Sequence, residues 1–211
     1  MHIPDGLLDT KTWVSMTVIS TGILALALKG LKKKNLEQRI PLIGVTAAFV
    51  FAAQMLNFPS AGGTSGHFLG GVLCCVLLGP FTGFITMSMV LIIQCLIFQD
   101  GGLTALGANI FNMGFLGSVG GFYLYFFFRL LIWGERTRPV AYALAAWSSV
   151  MLAALACSLE LAVSDTIALP VVLPPMLAAH AVIGLVEAGI TTAVLMTLWK
   201  TRQEILEMPK Y

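Results

Sequence analysis

The chain has 211 residues, of which 58% are hydrophobic and only 10% charged, and its net charge is +2. Soluble domains carry about 25% charged residues, so this composition excludes an ordinary soluble enzyme domain. The near-neutral balance also gives no footing for nucleic-acid binding. Runs of roughly 20 apolar residues recur along the chain, each long enough to cross a bilayer, and mean hydropathy is +0.90. An all-α polytopic membrane protein is expected, with residues 1–211 forming one integral membrane domain in the lipid bilayer.

In chain order, residues 1–11 form a short tail, MHIPDGLLDTK, in which Asp9 or Thr10 is placed to cap the first helix. The tail lacks the charged, apolar and small-residue order of a cleaved leader, so the Met1 amine is expected to be the mature terminus. Seven spans are expected, over 12–28, 40–56, 67–79, 81–98, 103–133, 139–163 and 175–200. A Gly/Ser/Pro-rich loop, 57–66, precedes the third span, which is short because Gly79-Pro80 ends it. Gln99-Asp100-Gly101-Gly102 forms a polar turn. The stretch 103–133 exceeds an ordinary span and is rich in glycine, which predicts a half-helix, a bend and an exiting helix.

Lys and Arg fall at 29–39, 129–138 and 200–210, and only Lys11 of the twelve lies elsewhere. With seven spans these clusters share one side, which the positive-inside rule makes the cytoplasm. The N-terminus is then outside and the C-terminus inside. Met1, His2, Asp5, the 57–67 loop, the 99–102 turn, Glu160, Asp165 and His180 all fall at or near the outer face. All three histidines, His2, His67 and His180, thus lie on one side.

The Met1 amine and the His2 amide close a five-membered ring on a metal ion, and the His2 amide and ring Nδ1 close a six-membered one. Three nitrogens then occupy a plane. Such ligation suits Ni²⁺ or Cu²⁺ and not an oxygen-seeking ion such as Mg²⁺. His67, which follows the small-residue loop Ala61-Gly62-Gly63-Thr64-Ser65-Gly66, is the natural fourth nitrogen. Against this stand an incidental second-position histidine and an interfacial one at the start of a helix.

Gly63-Thr64-Ser65-Gly66 also fits the GxSG pattern of rhomboid intramembrane proteases, with His180 as base, but no Trp-Arg pair lies in a long first outer loop. Gln54, Gln94, Asn109, Asn112, Glu160, His180 and Glu187 lie inside spans, where polar residues face the bundle interior. His180 and Glu187, seven residues apart, share a helix face about 10 Å along the axis. Interhelical hydrogen bonding and a proton or ion path are both open for this pair. Asn109 and Asn112 are candidates to hold the tail. Ala48 and Ala52 make a small-xxx-small pair for close helix packing, internal or with a partner. The cysteines Cys74, Cys75, Cys95 and Cys157 lie in apolar runs and are expected to be buried. No GxxxxGK[ST] phosphate loop occurs, so any ATP-driven step needs another protein.

MHIPDGLLD at the start and NFPSAGGTSGH at 57–67 resemble the nickel/cobalt substrate-binding membrane subunits (NikM/CbiM family) of energy-coupling-factor transporters, over essentially the whole chain. The resemblance implies capture of Ni²⁺, with Co²⁺ as the alternative, at the outer face of the cell membrane. Pro4-Asp5 looks more like the nickel branch. It further implies a site made by Met1, His2 and His67, and no enzymatic activity. The implied partners are a transmembrane coupling subunit, cytoplasmic ATPase subunits and a further small membrane subunit. Ala48 and Ala52 resemble the docking face of related transporters, on a helix shifted by one in this chain.

Overall fold

The computed structural model describes residues 1–31, 33–56, 58–59 and 65–207. Helix α1 (Thr10–Lys29) begins at Asp9, whose carboxylate accepts hydrogen bonds from the amides of Lys11 and Thr12. That satisfies two of the donors a helix start leaves open. Helix α2 (Lys33–Gln54) follows, with Pro41 inside it. Two short antiparallel strands, β1 (Phe58–Pro59) and β2 (Ser65–Gly66), bracket the loop before α3 (Gly71–Leu78). Residues 61–64 of the small-residue motif lie outside the described residues. Helix α4 (Pro80–Phe98) starts directly after α3. The chain then continues through α5 (Leu106–Asn109), a π-helical stretch (Ile110–Gly120) and α6 (Gly121–Leu131). Helices α7 (Arg138–Val163), α8 (Leu169–Thr201) and α9 (Gln203–Glu207) complete it.

Among the described residues, five helical stretches are long and apolar enough to cross a membrane: Thr10–Lys29, Pro80–Phe98, Leu106–Leu131, Glu135–Val163 and Leu169–Thr201. The other two expected spans differ. The apolar part of α2 is Arg39–Gln54, and α3 has eight residues, about 12 Å of helix. Helix α3 is short at both ends for local reasons. Residues 67–70 before it are not helical, and Gly79 after it adopts φ 82° ahead of Pro80. All eight of its residues are buried, so neighbouring helices shield its irregular flanks. Non-helical backbone at membrane depth is tolerated only under such cover. Arg39, expected among the cytoplasmic charges, is instead buried and donates from its guanidinium to the carbonyls of Leu77 and Leu78. It thereby caps the negative end of α3.

The 103–133 stretch holds no break between two half-helices. Leu106–Leu131 is continuous, and a π-helical middle replaces the expected break. Its glycines serve close approach instead. A Cβ on Gly107 would lie 2.4 Å from the Cα of Thr17, and the Gly107 carbonyl accepts a 2.6 Å hydrogen bond from Ser20, so α1 lies directly on this helix. Helix α8 starts earlier than expected and carries Pro174 and Pro175 within its first turns. Its most extensive packing is along α7, where the Trp147 indole N–H donates to the Ala181 carbonyl at 3.0 Å. Large apolar side chains such as Val18, Leu130 and Val182 point outward, as a lipid-facing surface requires. All four cysteines are buried, and none of them forms a disulfide.

Candidate metal centre

The tail is tied into one end of the bundle residue by residue. The Ile3 amide donates to the Asn109 side-chain oxygen at 2.8 Å, and the Asn109 side-chain amide donates back to the Ile3 carbonyl at 3.1 Å. The Gly102 amide donates to the same carbonyl at 2.8 Å. Asp5 accepts from the Thr104 hydroxyl (2.5 Å), the Thr104 amide (2.7 Å) and the Leu103 amide (3.0 Å). The bonds from Thr104 hold its carboxyl below the ordinary carboxylate range. The Thr166 hydroxyl donates to the Leu7 carbonyl and the Ser164 hydroxyl to Asp9. The turns at 99–104 and 164–166 are thus gathered around residues 1–9.

This tether delivers the terminus into the interior. Met1 is 5% exposed and His67 1% exposed, and the His2 side chain is 6% exposed. The rings of His2 and His67 lie with centroids 4.8 Å apart, tilted by 35°. A cavity of about 350 Å³ beside them is lined by Met1, His2, Asp100, Gly101, Cys157 and Met176, among others. Gly101 is required at its position. It has φ +92°, and a Cβ there would lie 3.1 Å from His2 Nδ1 and 3.0 Å from the Asn109 side-chain nitrogen.

Burial sets the protonation of the donors. It pushes the Met1 amine below its ordinary value, against the opposing pull of Cys157 and Asp100. Burial, aided by the neighbouring amine, pushes His2 down to about 3. His2 Nε2 faces the Asp100 carboxylate at 3.8 Å. With His2 neutral and the distance beyond hydrogen-bond range, this contact is not an ion pair, although burial raises the Asp100 carboxyl as well. In His67, Nδ1 lies 2.7 Å from the Phe68 carbonyl oxygen. A carbonyl only accepts, so Nδ1 carries the proton and Nε2 presents its lone pair. His67 Nε2 is buried without a hydrogen-bond partner. Fixing one ring nitrogen by a hydrogen bond so that the other faces a metal is how protein histidines are prepared as ligands.

Among the described residues, no three His, Cys, Asp or Glu side chains form a metal-holding group. A set built from the Met1 amine, the His2 amide and the two imidazoles is of another kind, because two of its members are main-chain nitrogens. Replacing Asn109 by alanine removes both side-chain bonds to Ile3. The expected result is a more loosely docked tail, read as faster amide hydrogen exchange at Ile3 in the purified variant.

Of the other residues anticipated, Asn112 does not hold the tail. Its side-chain amide donates to Glu160 at 2.6 Å, from the π-helical stretch to α7. His180 is fully buried, with Nδ1 on the Met176 carbonyl at 2.8 Å. Glu187 accepts from the Leu69 and Gly70 amides. Asp100, Gly101 and Asp5 were not anticipated as parts of the site. The only sequence signal for them was the polar Gln99-Asp100-Gly101-Gly102 turn on the same side as the tail.

These features define, as a class, a helical membrane protein whose N-terminal tail is docked into the bundle. Comparison with known proteins gives the family. A family model described as "Cobalt uptake substrate-specific transmembrane region" (CbiM) matches residues 2–205, and the chain belongs to that family. It is 42% identical over 210 residues to "Putative fused nickel transport protein NikMN" of Archaeoglobus fulgidus, covering 98% of this chain and 68% of that one. It is 32% identical over 221 residues to "Fused nickel transport protein NikMN" of Rhodobacter capsulatus, covering 98% of this chain and 64% of that one. Its fold matches the crystal structure of a transition metal transporter with a TM-score of 0.86 at 33% identity, over 96% of this chain and 94% of that one. The chain is therefore a membrane-embedded metal-uptake component of the nickel/cobalt type and not an enzyme. Membership of this family sets aside the protease alternative through Ser65 and His180.

Proposed function

We propose that the chain is the substrate-binding subunit of an energy-coupling-factor transporter, capturing Ni²⁺ at the outer face of the plasma membrane, with Co²⁺ as the alternative cargo. Met1, His2 and His67 hold the ion. What supports this is that Met1 and His67 are both buried and that the His2 ring, next to the terminus, lies 4.8 Å from the His67 ring. In the bound state the Met1 amine, the deprotonated His2 amide, His2 Nδ1 and His67 Nε2 form a four-nitrogen plane. One of these four donors, the Met1 amine, requires the chain to begin at Met1 in the cell.

The proposed topology has seven membrane segments, including the short α2 and α3 segments, within a single domain. The N-terminus is outside and the C-terminus inside. The gathering of residues 5–9, the 99–104 turn and the 164–166 turn at one end of the bundle fits this arrangement. The partners are a transmembrane coupling subunit, cytoplasmic ATPases and a small additional membrane subunit. Ala48 and Ala52 are exposed on α2, whereas Ala47 and Ala53 pack inward, which leaves a small-residue face open for a partner helix. By the Irving–Williams order Cu²⁺ binds such a site at least as tightly, so selectivity comes partly from ion availability.

Vesicles separate this role from that of a self-sufficient carrier. Vesicles containing this chain alone are expected to bind about one Ni²⁺ per chain without accumulating it, and to accumulate it only with the ATPase and coupling subunits and ATP. Accumulation by the chain alone, driven by a proton gradient, would contradict the proposal.

A further inference from the structure

The segment between β2 and α3 carries His67, and its backbone is not helical. At that depth each main-chain N–H and C=O needs an internal partner. Three bonds from side chains on other helices supply part of this. Glu187 Oε2 accepts from the Leu69 amide at 2.7 Å and Glu187 Oε1 from the Gly70 amide at 2.8 Å. The Gln54 side-chain amide donates to the Leu69 carbonyl at 2.7 Å. Glu187, on α8, and Gln54, at the end of α2, are both fully buried. Helix α8 also meets this segment one turn earlier. A Cβ on Gly66 would lie 1.8 Å from Ile183 Cδ1, so the strand rests on that helix without room for a side chain unless Ile183 turns aside.

One peptide group links these bonds to the ligand. The carbonyl of Phe68 accepts from His67 Nδ1, and the amide of the same Phe68–Leu69 peptide donates to Glu187. The order is carboxylate, peptide N–H, peptide C=O, imidazole Nδ1–H, imidazole Nε2. Hydrogen bonds in such a chain polarise one another. A carboxylate pulling on the amide proton makes the carbonyl a better acceptor. The carbonyl in turn makes Nε2 a stronger donor to a metal, as a direct carboxylate–histidine contact does in many metal sites.

We infer that Glu187 is a positioning residue for His67, acting through the Phe68–Leu69 peptide to aim and strengthen the His67 Nε2 donor, with Gln54 fixing the far side of the segment. The inference rests on the proposal that His67 is a ligand of the captured ion. A glutamine at 187 keeps one acceptor oxygen and turns an –NH₂ toward the second amide, so the two-point hold is lost while size is preserved.

The test uses the full chain in detergent with Cu²⁺ as the spectroscopic probe and Ni²⁺ for affinity. Wild type should show a four-nitrogen pattern in the Cu²⁺ electron paramagnetic resonance spectrum, and His67→Ala a three-nitrogen one. Glu187→Gln should move toward the His67→Ala pattern and lose about 10–100-fold in Ni²⁺ affinity. Glu187→Asp, which keeps the charge but cannot reach both amides, should fall between. Should the Glu187 variants not fold, Gln54→Ala is expected to weaken Ni²⁺ binding in the same sense by a smaller factor. Folded Glu187 or Gln54 variants with a four-nitrogen spectrum and wild-type affinity would overturn the inference, whatever their melting temperature. A wild-type spectrum without four nitrogens would overturn the chelate itself, and the inference with it.

Discussion

A chain whose Met1 amine is blocked by a formyl or acetyl group is expected to lose more than about 100-fold in nickel affinity. That exceeds what removal of an outer partner usually costs, because a donor itself is gone. The acyl group converts a basic amine into an amide nitrogen, which offers no lone pair until it too loses a proton, and no free amine remains to anchor the five-membered ring it shares with the His2 amide. The tail should stay docked. Its tether consists of Ile3 on Asn109, Asp5 on Thr104 and Leu7 on Thr166, none of which involves the amine, and a cavity adjoins Met1. Titration with Ni²⁺ should therefore show lost binding without a large fall in melting temperature. Adding one residue before Met1 is a less clean test. It would place the histidine third in the chain, where an amine, two amides and the ring make a four-nitrogen plane without His67. Wild-type affinity in the acylated chain would contradict the role given to Met1.

His67→Ala is expected to cost as much by a different route. The three tail nitrogens remain, but the fourth corner of the plane is vacated inside a pocket where His67 is only 1% exposed. A water molecule admitted there is a weaker donor than an imidazole whose other nitrogen is fixed by the Phe68 carbonyl. Nickel affinity should again fall by more than about 100-fold, and any remaining complex should absorb at longer wavelength as its ligand field weakens. Comparing the two variants separates the corners: the acylated chain loses the ring system of the tail, and His67→Ala keeps it.

Much of the candidate site was legible because its residues lie at or next to sequence landmarks. His2 adjoins the terminus, and His67 ends a run of small residues. Asn109 was marked by being polar within an apolar stretch, and it holds the tail at Ile3. Asn112 carried the same mark and does something else, bonding Glu160. One polar residue in a span announces a partner without saying which, because the answer depends on helix rotation. Asp100 and Gly101 were harder still. Their role depends on a fold that presses the 99–102 turn against His2, and no local pattern encodes that contact.

For the fold, apolar length located five long spans, and Gly79-Pro80 marked the third as short, but neither showed that residues 67–70 before the eight-residue α3 are not helical. Hydropathy registers apolar residues equally whether helical or not. The glycines between 107 and 121 suggested a bend because glycine weakens helices. In the structure they let α1 and the residues around Leu69 approach a continuous helix, a use that only tertiary contacts disclose. Arg39 shows the same limit. Its charge marked a side of the membrane, while its guanidinium caps α3.

Crystals of the nickel-loaded chain, measured at the nickel absorption edge, test the chelate most directly. The account predicts one anomalous peak per chain, about 2 Å from the Met1 nitrogen, the His2 amide nitrogen, His2 Nδ1 and His67 Nε2, with the four donors near one plane. A peak elsewhere in the bundle, or one at the His2 and His67 rings with the Met1 nitrogen turned away, would contradict it.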